Sequence, residues 1–348
     1  MMWGRYWRCF LWTLAGALLL VGGLLWVVDP YSNLPGSPPF DRTAMASNQR
    51  YSYPAVARDR RFDSAVIGTS TARMLEPAVL NKTFGGGFAN LAMNSATAYE
   101  QDRLTEVFQR AHAAPRTVLI GLDSVWCTIE AVQTKYTFRA FPEWMYDESQ
   151  WNDVLHMLAF KSFEDAGRQA AYLMGMKAAK YGPDGYANFL PPDSDYNLAK
   201  VRQTIYGGPD PKPKNLLSAP VNIGAGERSS WFFPSHALLR NMLSRFPPAT
   251  KKILFFVPYH FYSQPASGTR SHVEWQECKH RLNTIAATFD NAALLDFMIQ
   301  SPLTTQDSNY WDTQHYSATV ADRLVALIAR GARNEPAPAG QYRILDPM

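Results

Sequence analysis

The sequence predicts an α/β protein with a mostly parallel sheet, a three-layer α/β/α arrangement and one N-terminal transmembrane helix. Short apolar runs rich in β-branched residues alternate with stretches of helical periodicity, which is the pattern of parallel strands joined by helices. A long uncharged run lies close to the N-terminus. The chain has 348 residues, of which 47% are hydrophobic and 18% charged. It is therefore long and apolar enough to bury a large core.

The uncharged run extends from Cys9 to Val28. As a helix it would be about 30 Å long at about 1.5 Å per residue, which is the thickness of the hydrocarbon core of a bilayer. Arg5 and Arg8 precede it, so the positive-inside rule directs the N-terminus to the cytoplasm and the rest of the chain outside. No Ala-x-Ala-like site ends the run, which favours an uncleaved anchor over a cleaved signal peptide or a buried core helix.

The net charge and the positions of histidine and cysteine limit the classes of function that the sequence predicts. The formal net charge is +4, and the lysines and arginines are scattered without a basic stripe, so we expect no nucleic-acid partner. No histidine or cysteine spacing resembles a metal site, and we predict neither a metal nor a cofactor. In the folded part, Cys127 and Cys278 can form one disulfide or remain two buried thiols.

Four segments are predicted along the chain. Residues 1–28 form the cytoplasmic N-terminus and anchor, and residues 29–58 a juxtamembrane segment that is either a tether or a packed arm. Residues 59–333 form the α/β domain, and residues 334–348 a flexible tail. Between about residues 125 and 227 the strand–helix alternation is lost, which predicts a long insertion above the strand ends. The aromatic side chains of this insertion either stack on sugar rings or form a small core.

The α/β elements are predicted in chain order from periodicity and capping residues. Strands are expected at residues 64–68, 117–122, 252–258 and 292–297. Helices are expected to begin near Asn94 or Ser95, at about Asp153, at Ser235, at a capping box of Ser271 with Glu274, and at Ser317.

The candidate nucleophile is Ser70, in the polar turn that follows the first predicted strand. Chemistry in open α/β sheets gathers at this end of the strands, and a serine there needs a base within reach. Asp312 and His315 follow the last predicted strand and are three residues apart, so the carboxylate can hold the imidazole Nδ1–H and leave Nε2 free. Either motif alone is common by chance. Their order and placement together predict that Ser70, His315 and Asp312 meet across one sheet.

These motifs resemble those of the SGNH (GDSL-like) hydrolase and acyltransferase superfamily. Residues 68–70 (Gly-Thr-Ser) resemble its first block, and residues 312–315 (Asp-Thr-Gln-His) its last. Residues 90–97 and 121–123 fall where the second and third blocks stand. The likeness covers about residues 60–125 and 250–330, and it is closest to membrane-anchored, envelope-facing members related to polysaccharide O-acetyltransferases.

The resemblance implies a serine esterase or O-acyltransferase with a Ser-His-Asp triad that acts on acyl esters of cell-envelope glycans. It further implies an anchor in the bacterial inner membrane, a periplasmic catalytic domain, envelope polysaccharide as substrate and a multi-span acyltransferase as a further partner. One alternative is an inactive protein of the same fold that binds glycans or scaffolds an envelope assembly. The other is a flavodoxin-like phosphate binder that uses residues 68–71 as an anion loop.

The oxyanion donors are the point at which the chain departs from the family. Hydrolytic members use a glycine N–H of the second block and an asparagine of the third, whereas here residues 90–97 contain no glycine and Asp123 takes the asparagine position. A carboxylate would repel a developing oxyanion unless it is protonated or points elsewhere. The candidate oxyanion and substrate groups are the N–H of Ala92 or Ser95 and the side chains of Asn90, Asn94 and Asp123. Arg73 is either a guide for an anionic substrate or a surface or ion-paired residue, and His260 either lines the pocket or is structural.

Overall fold

The computed structural model describes residues 2–129, 135–214 and 220–345. The described chain divides into two compact units, Met1–Val56 with Ala140–Gly185, and Ala57–Arg139 with Tyr186–Met348. We refer to them as the anchor unit and the sheet unit. Residues 29–56, predicted as a juxtamembrane segment, and residues 140–185, predicted as part of the insertion, thus fall in one unit.

The helices and strands are numbered here in chain order. The helices are α1 (Met2–Val28), α2 (Gln49–Arg58), α3 (Pro77–Phe84), α4 (Ala98–Ala111), α5 (Asp153–His156), α6 (Phe160–Leu173), α7 (Leu198–Tyr206), α8 (Ala225–Ser230), α9 (Ser235–Ser244), α10 (Arg270–Ala286) and α11 (Ala318–Gly331). The strands are β1 (Ser64–Ile67), β2 (Phe88–Asn90), β3 (Thr117–Leu122), β4 (Lys251–Phe256), β5 (Ala292–Asp296) and β6 (Arg343–Ile344).

In the anchor unit, one helix of the described residues, Trp3–Val28, is long and apolar enough to cross a membrane. The chain that follows it is a packed arm. The Tyr53 hydroxyl donates to the carbonyl of Gly185 at 2.9 Å. Pro54 lies inside α2 and cannot donate to the carbonyl of Arg50, four residues earlier. The Tyr146 hydroxyl donates to that carbonyl at 2.8 Å instead. Of the two alternatives predicted for residues 29–58, a tether and a packed arm, the structure has the arm.

The sheet unit contains a six-stranded sheet in the order β2-β1-β3-β4-β5-β6. The first five strands pair in parallel, and only β6 pairs antiparallel, against β5. Strands β1 and β3 are buried along their whole length, as expected for parallel strands in the interior of a protein. The predicted α/β class and mostly parallel sheet are therefore confirmed. Helices α4, α9 and α10 pack in sequence, and α3 packs against α11.

The strand order places a crevice between the carboxyl ends of β1 and β3. In an order of the 2-1-3-4-5 type the chain turns in opposite directions from these two strands, and ligands bind where they diverge. Two glycines allow the chain after β1 to lie directly against β3. A Cβ at Gly68, whose φ is +153°, would lie 2.6 Å from the Cβ of Ala72, and a Cβ at Gly121 would lie 2.9 Å from the same atom.

Two predicted helix starts are wrong by a few residues. Helix α4 is capped by Thr97, which forms a reciprocal capping box with Glu100, and not by Asn94 or Ser95. Helix α10 is capped by Thr269 and not by Ser271. Each region offers several residues that can cap, and the local sequence does not choose among them. The predicted cap Ser317 is confirmed, because its side chain accepts the N–H of Val320.

The C-terminal segment is more ordered than predicted. Within residues 334–345, β6 pairs with β5, and the Tyr342 side chain is buried. The prediction of a flexible tail is therefore corrected for this part. The two cysteines of the sheet unit, Cys127 and Cys278, form a disulfide that joins the chain after β3 to α10.

Candidate active site

Ser70 lies in the tight turn that follows β1. The N–H of Arg73 donates to the carbonyl of Thr69 at 3.2 Å, which closes the turn and begins a short 3-10 helix, Ala72–Met74. Ser70 is half-buried at the carboxyl end of the strand. Its Oγ is 2.9 Å from Nε2 of His315, although the two residues are 245 positions apart in the chain.

Asp312 shapes the loop that carries His315. One carboxylate oxygen accepts the backbone N–H groups of Gln314 and His315, both at 2.7 Å. The other lies 2.7 Å from Nδ1 of His315. Because a carboxylate only accepts hydrogen bonds, Nδ1 carries the proton and Nε2 is left to accept from Ser70. Burial alone would raise the pKa of Asp312, but the hydrogen bonds from His315 and Gln314 outweigh it and hold the pKa below its usual range.

Two buried tyrosines hold this loop in place. Tyr310 and Tyr316 pair across the base of the loop in an antiparallel bridge. The Tyr316 hydroxyl donates to the carbonyl of Thr71 at 2.6 Å, which connects the loop to the Ser70 turn. The Tyr310 hydroxyl donates to the carbonyl of Pro258 at 2.7 Å, beyond the end of β4. The Ser70–His315 distance therefore depends on contacts that neither motif contains.

Asp123 follows β3 and points towards the Ser70 turn without facing the Ser70 hydroxyl. One of its carboxylate oxygens accepts from the Thr69 hydroxyl, and the other accepts the N–H of Val125 at 3.2 Å. Its side chain is 2% exposed, and burial raises the pKa to about 6 in spite of the hydrogen bonds from Thr69, Val125 and Tyr259. Of the alternatives that the sequence left open, this is a carboxylate that points elsewhere and supports the residue next to Ser70.

The raised pKa of Asp123 makes stability depend on pH. Below pH 3.8 the carboxyl is protonated in both the folded and unfolded chain, so its burial then carries no ionisation penalty. As the pH rises from 3.8 to about 6, the unfolded chain ionises first, and the free energy of unfolding falls. Above that window the ionised, buried carboxylate costs about 3 kcal/mol.

We therefore expect Asp123→Asn to stabilise the protein at high pH, because the amide keeps an acceptor for Val125 without a charge. The free energy of unfolding, measured in urea at pH 4 and pH 8, should exceed that of the wild type by about 1–3 kcal/mol at pH 8 and by little at pH 4. Asp322→Asn, at an exposed position, is the control and should show no such difference. A variant that is less stable than the wild type at pH 8 would show that the charge itself holds the Thr69 turn.

The second-block candidates are engaged within the sheet unit. The Asn90 amide donates to the carbonyls of Arg73 and Leu75, at 3.2 Å and 2.8 Å, and its oxygen accepts the N–H of Ala92 at 3.2 Å. The Asn94 side-chain oxygen accepts from the Arg73 guanidinium at 2.6 Å. The geometry thus gives Asn90 and Ala92 a role in shaping the turn. In the described part of the chain, the backbone N–H of Ser70 donates no hydrogen bond.

Arg73 lies one turn beyond Ser70 and is 4% exposed. Its guanidinium carbon lies 4.6 Å from the centre of the Phe189 ring, and the edge of that ring meets the His315 imidazole with centroids 5.5 Å apart. A second guanidinium nitrogen is 3.5 Å from the carbonyl of Ala187. Arg73 therefore positions the aromatic ring that packs against the candidate base.

His260 belongs to a buried polar cluster behind the loop. Its Nε2 is 3.2 Å from a carboxylate oxygen of Asp307, which also accepts from the hydroxyl of Tyr206 at 2.6 Å. Burial lowers the pKa of His260 below its usual value, although Asp307 acts in the opposite direction. The backbone N–H of His260 donates to the carbonyl of Thr313 at 3.0 Å. Of its two predicted roles, the geometry supports the structural one, as a support for the loop.

Among the described residues, no group of three or more His, Cys, Asp or Glu side chains is placed to hold a metal ion. No family model matches this chain. A search of curated proteins likewise finds no relative. The resemblance of the motifs to SGNH enzymes therefore stays a prediction.

The structure brings together the three residues predicted to form the triad and adds supports that sequence reasoning did not assign. These are Thr69, Tyr310, Tyr316, Tyr259 and Phe189. A sequence signal was available for two of them, since Tyr310 and Tyr316 flank the Asp312–His315 motif on either side. Phe189 carried no such signal, because it lies far from either motif in the chain.

Proposed function

We propose that the protein is a membrane-anchored serine esterase or O-acyltransferase of the SGNH type that acts on acyl esters of cell-envelope glycans. The observation that carries the proposal is the continuous hydrogen-bonded chain from Ser70 Oγ through the His315 imidazole to Asp312, at 2.9 Å and 2.7 Å. A nucleophile, a base and a group that orients the base, in this sequence and at these distances, are the requirements of serine acyl transfer.

The geometry supports a two-step reaction. His315 Nε2 takes the Ser70 proton while Oγ forms a bond to the ester carbonyl carbon, and the carbonyl oxygen becomes an oxyanion. The carbonyl reforms, the ester C–O bond breaks, and the imidazolium gives its proton to the leaving alkoxide, which leaves an acyl group on Ser70. A water or sugar hydroxyl then loses its proton to His315 and attacks the acyl carbon. Water completes hydrolysis, whereas a sugar hydroxyl completes transfer.

The oxyanion site of the proposed enzyme differs from that of the hydrolytic family members. The Ser70 N–H has no acceptor within the described residues and is the donor closest in the chain to the reacting oxygen. Both carboxylate oxygens of Asp123 are engaged, one by the Thr69 hydroxyl and the other by the Val125 N–H, and Asp123 is not assigned to the oxyanion site. Removing one oxyanion donor from an enzyme typically lowers its rate by about 10²- to 10³-fold, so we expect modest turnover.

Aromatic side chains beside the candidate base support a glycan substrate. Phe189 packs on His315, and Tyr196 meets Trp311, the neighbour of Asp312, with ring centroids 5.1 Å apart. Aromatic surfaces next to a few polar groups are typical of sites for small organic ligands, and their flat faces suit the C–H faces of sugar rings.

The cellular side of the proposed enzyme is inferred from two features. The disulfide between Cys127 and Cys278 favours an oxidising compartment such as the periplasm. Arg5 and Arg8 before the apolar helix favour a cytoplasmic N-terminus. Both features agree with a catalytic domain on the outer side of the bacterial inner membrane.

A catalytically inactive protein that binds glycans or scaffolds an envelope assembly is the second candidate function. The observation that favours it is the lack of a glycine in residues 90–97, together with the engagement of the Ala92 N–H by Asn90. That N–H stands where a family member would present a donor to the oxyanion.

A fluorophosphonate probe separates the two functions, since it forms a covalent bond only with an activated serine. We expect the full-length protein, reconstituted in lipid nanodiscs, to be labelled by the probe. Ser70→Ala should not be labelled, whereas Ser194→Ala, at an exposed position, should react like the wild type. Absence of labelling in folded wild-type protein, together with no hydrolysis of p-nitrophenyl acetate, would favour the inactive scaffold.

A further inference from the structure

Helix α6 of the anchor unit exposes two phenylalanine side chains in its first turn and buries four small or polar residues. Its buried residues are Ser162, Asp165, Ala166 and Gln169. Phe160 is 86% exposed and Phe163 is 42% exposed. A helix on the surface of a water-soluble domain has the opposite pattern, with its apolar stripe towards the core. The start of α6 therefore presents an apolar surface, next to an exposed Glu164 whose charge is paired with Lys161 and Arg168.

The segment before α6 continues this surface. Leu155 is 79% exposed and Trp151 is 76% exposed. Isolated exposed apolar residues are common, but a cluster of this kind within a short stretch marks an interaction surface. We define the apolar patch as the exposed side chains of Trp151, Val154, Leu155, Leu158, Phe160 and Phe163.

The apolar patch lies beside the end of the membrane helix. Residues 3–20 of α1 are exposed, whereas Leu25 and Val28 are buried, so only its last two turns are covered by protein. Helix α6 packs against α1. Just beyond α1, the Tyr31 hydroxyl donates to Asp165 of α6 at 3.2 Å. The covered turns and α6 are therefore at the same level along the membrane helix.

A second set of contacts connects the start of the apolar patch to the chain that follows α1. Asn33 donates to Asp153 of α5, and the Gln150 amide donates to the side-chain oxygen of Asn33 at 3.0 Å. Gln150 immediately precedes Trp151. The chain leaving the membrane helix is thus hydrogen-bonded both to the segment that opens the patch and, through Tyr31, to the helix that ends it.

The depth of these contacts follows from helix geometry. At about 1.5 Å per residue, residues 21–28 cover the last ~12 Å of the apolar run, which lies within the hydrocarbon thickness when α1 spans a bilayer. Protein packed against those turns must reach into the same leaflet. At that depth an apolar protein surface is stable against the lipid chains, whereas a polar surface would lose its hydrogen bonds to water.

We propose that the apolar patch is a membrane-docking surface whose side chains insert into the leaflet in which α1 ends. The partner is the lipid bilayer itself. The argument for lipid over a second protein is the continuity of the patch with the covered turns of α1. The inference rests on the membrane anchoring that the proposed function assumes, and it adds that the anchor unit is held against the bilayer by two elements instead of one.

Environment-sensitive labels can test this in the full-length protein. In a Cys9→Ser background, a nitrobenzoxadiazole label is attached at Leu155→Cys or Phe160→Cys, and the protein is reconstituted in nanodiscs with and without doxyl-labelled lipid. Leu19→Cys, within α1, reports on insertion of the anchor, and Ser244→Cys, at an exposed position of α9, is the aqueous control. We expect blue-shifted emission at both patch positions and quenching by doxyl lipid at least about twofold greater than at Ser244→Cys.

The outcomes separate docking from anchoring and from catalysis. Quenching at Leu19→Cys with water-like, unquenched labels at both patch positions would overturn the docking surface and leave the anchor intact. Lack of quenching at Leu19→Cys as well would overturn both. Because the nanodiscs contain no protein besides the scaffold protein around their rim, a surface that requires a specific protein partner would also give unquenched patch labels. Ester hydrolysis measured on the same samples reports on the proposed function independently.

Discussion

Ser70→Ala is expected to lower kcat for hydrolysis of a p-nitrophenyl ester by about 10⁴- to 10⁶-fold. The alanine removes the atom that forms the acyl-enzyme bond in the proposed mechanism, while His315 and Asp312 stay in place. What activity remains would come from water activated by His315 and from binding alone. Initial rates of the full-length protein in nanodiscs, with and without the substitution, measure the effect.

The matched control for Ser70→Ala is Ser194→Ala, which removes a hydroxyl at an exposed position of the same unit. Its kcat should equal that of the wild type. If Ser70→Ala retained a rate within about tenfold of the wild type, hydrolysis would not pass through Ser70, and the hydrogen-bonded chain would have a different role.

Asp312→Asn is expected to lower kcat by about 10³- to 10⁴-fold with little change in KM. The asparagine oxygen can still accept the backbone N–H groups of Gln314 and His315, so the loop should keep its shape. Its amide nitrogen, however, would face Nδ1 and donate to it. The ring proton would then move to Nε2, and the imidazole could no longer accept the proton of Ser70.

Asp322→Asn serves as the control for the removed charge, because Asp322 is exposed on α11. Circular dichroism should show that both variants are folded. A normal kcat for Asp312→Asn would mean that another group orients His315, and the proposed role of Asp312 would be lost. A fall in kcat/KM that came only from KM would point to substrate binding instead of catalysis.

Much of the sheet could be predicted from the sequence because its signals are local. The runs at β1, β3, β4 and β5 are apolar and end at glycine, proline or polar residues, and their order implies parallel pairing. Helix starts were less predictable. Before α4, three residues can cap, and Thr97 is selected because its partner Glu100 completes the capping box and is itself buried.

The three residues of the candidate triad could be predicted from the sequence. The residues that hold them in position could not. Ser70 stands directly after β1, and Asp312 and His315 lie in the loop between β5 and α11, where their chemistry has a known use. The hydrogen bond from Tyr316 to Thr71 spans 245 positions of the chain, and no local pattern encodes it. The direction of the Asp123 carboxylate depended in the same way on Thr69, a residue on a different strand end.

The sequence by itself determined an apolar N-terminal helix, an α/β class with parallel strands, and a serine, an aspartate and a histidine in the segments that follow the first and last parallel strands. The helices and strands follow from the spacing of apolar residues along the chain, because each segment takes the backbone conformation that brings its apolar side chains to one buried face. Only the tertiary structure decided that Ser70 and His315 meet, that Asp123 turns to Thr69, that Cys127 joins Cys278, and that an apolar patch lies beside the end of the apolar N-terminal helix. These contacts depend on how distant segments of the chain pack together. The packing energy is distributed over many contacts, so no single segment of the sequence determines it.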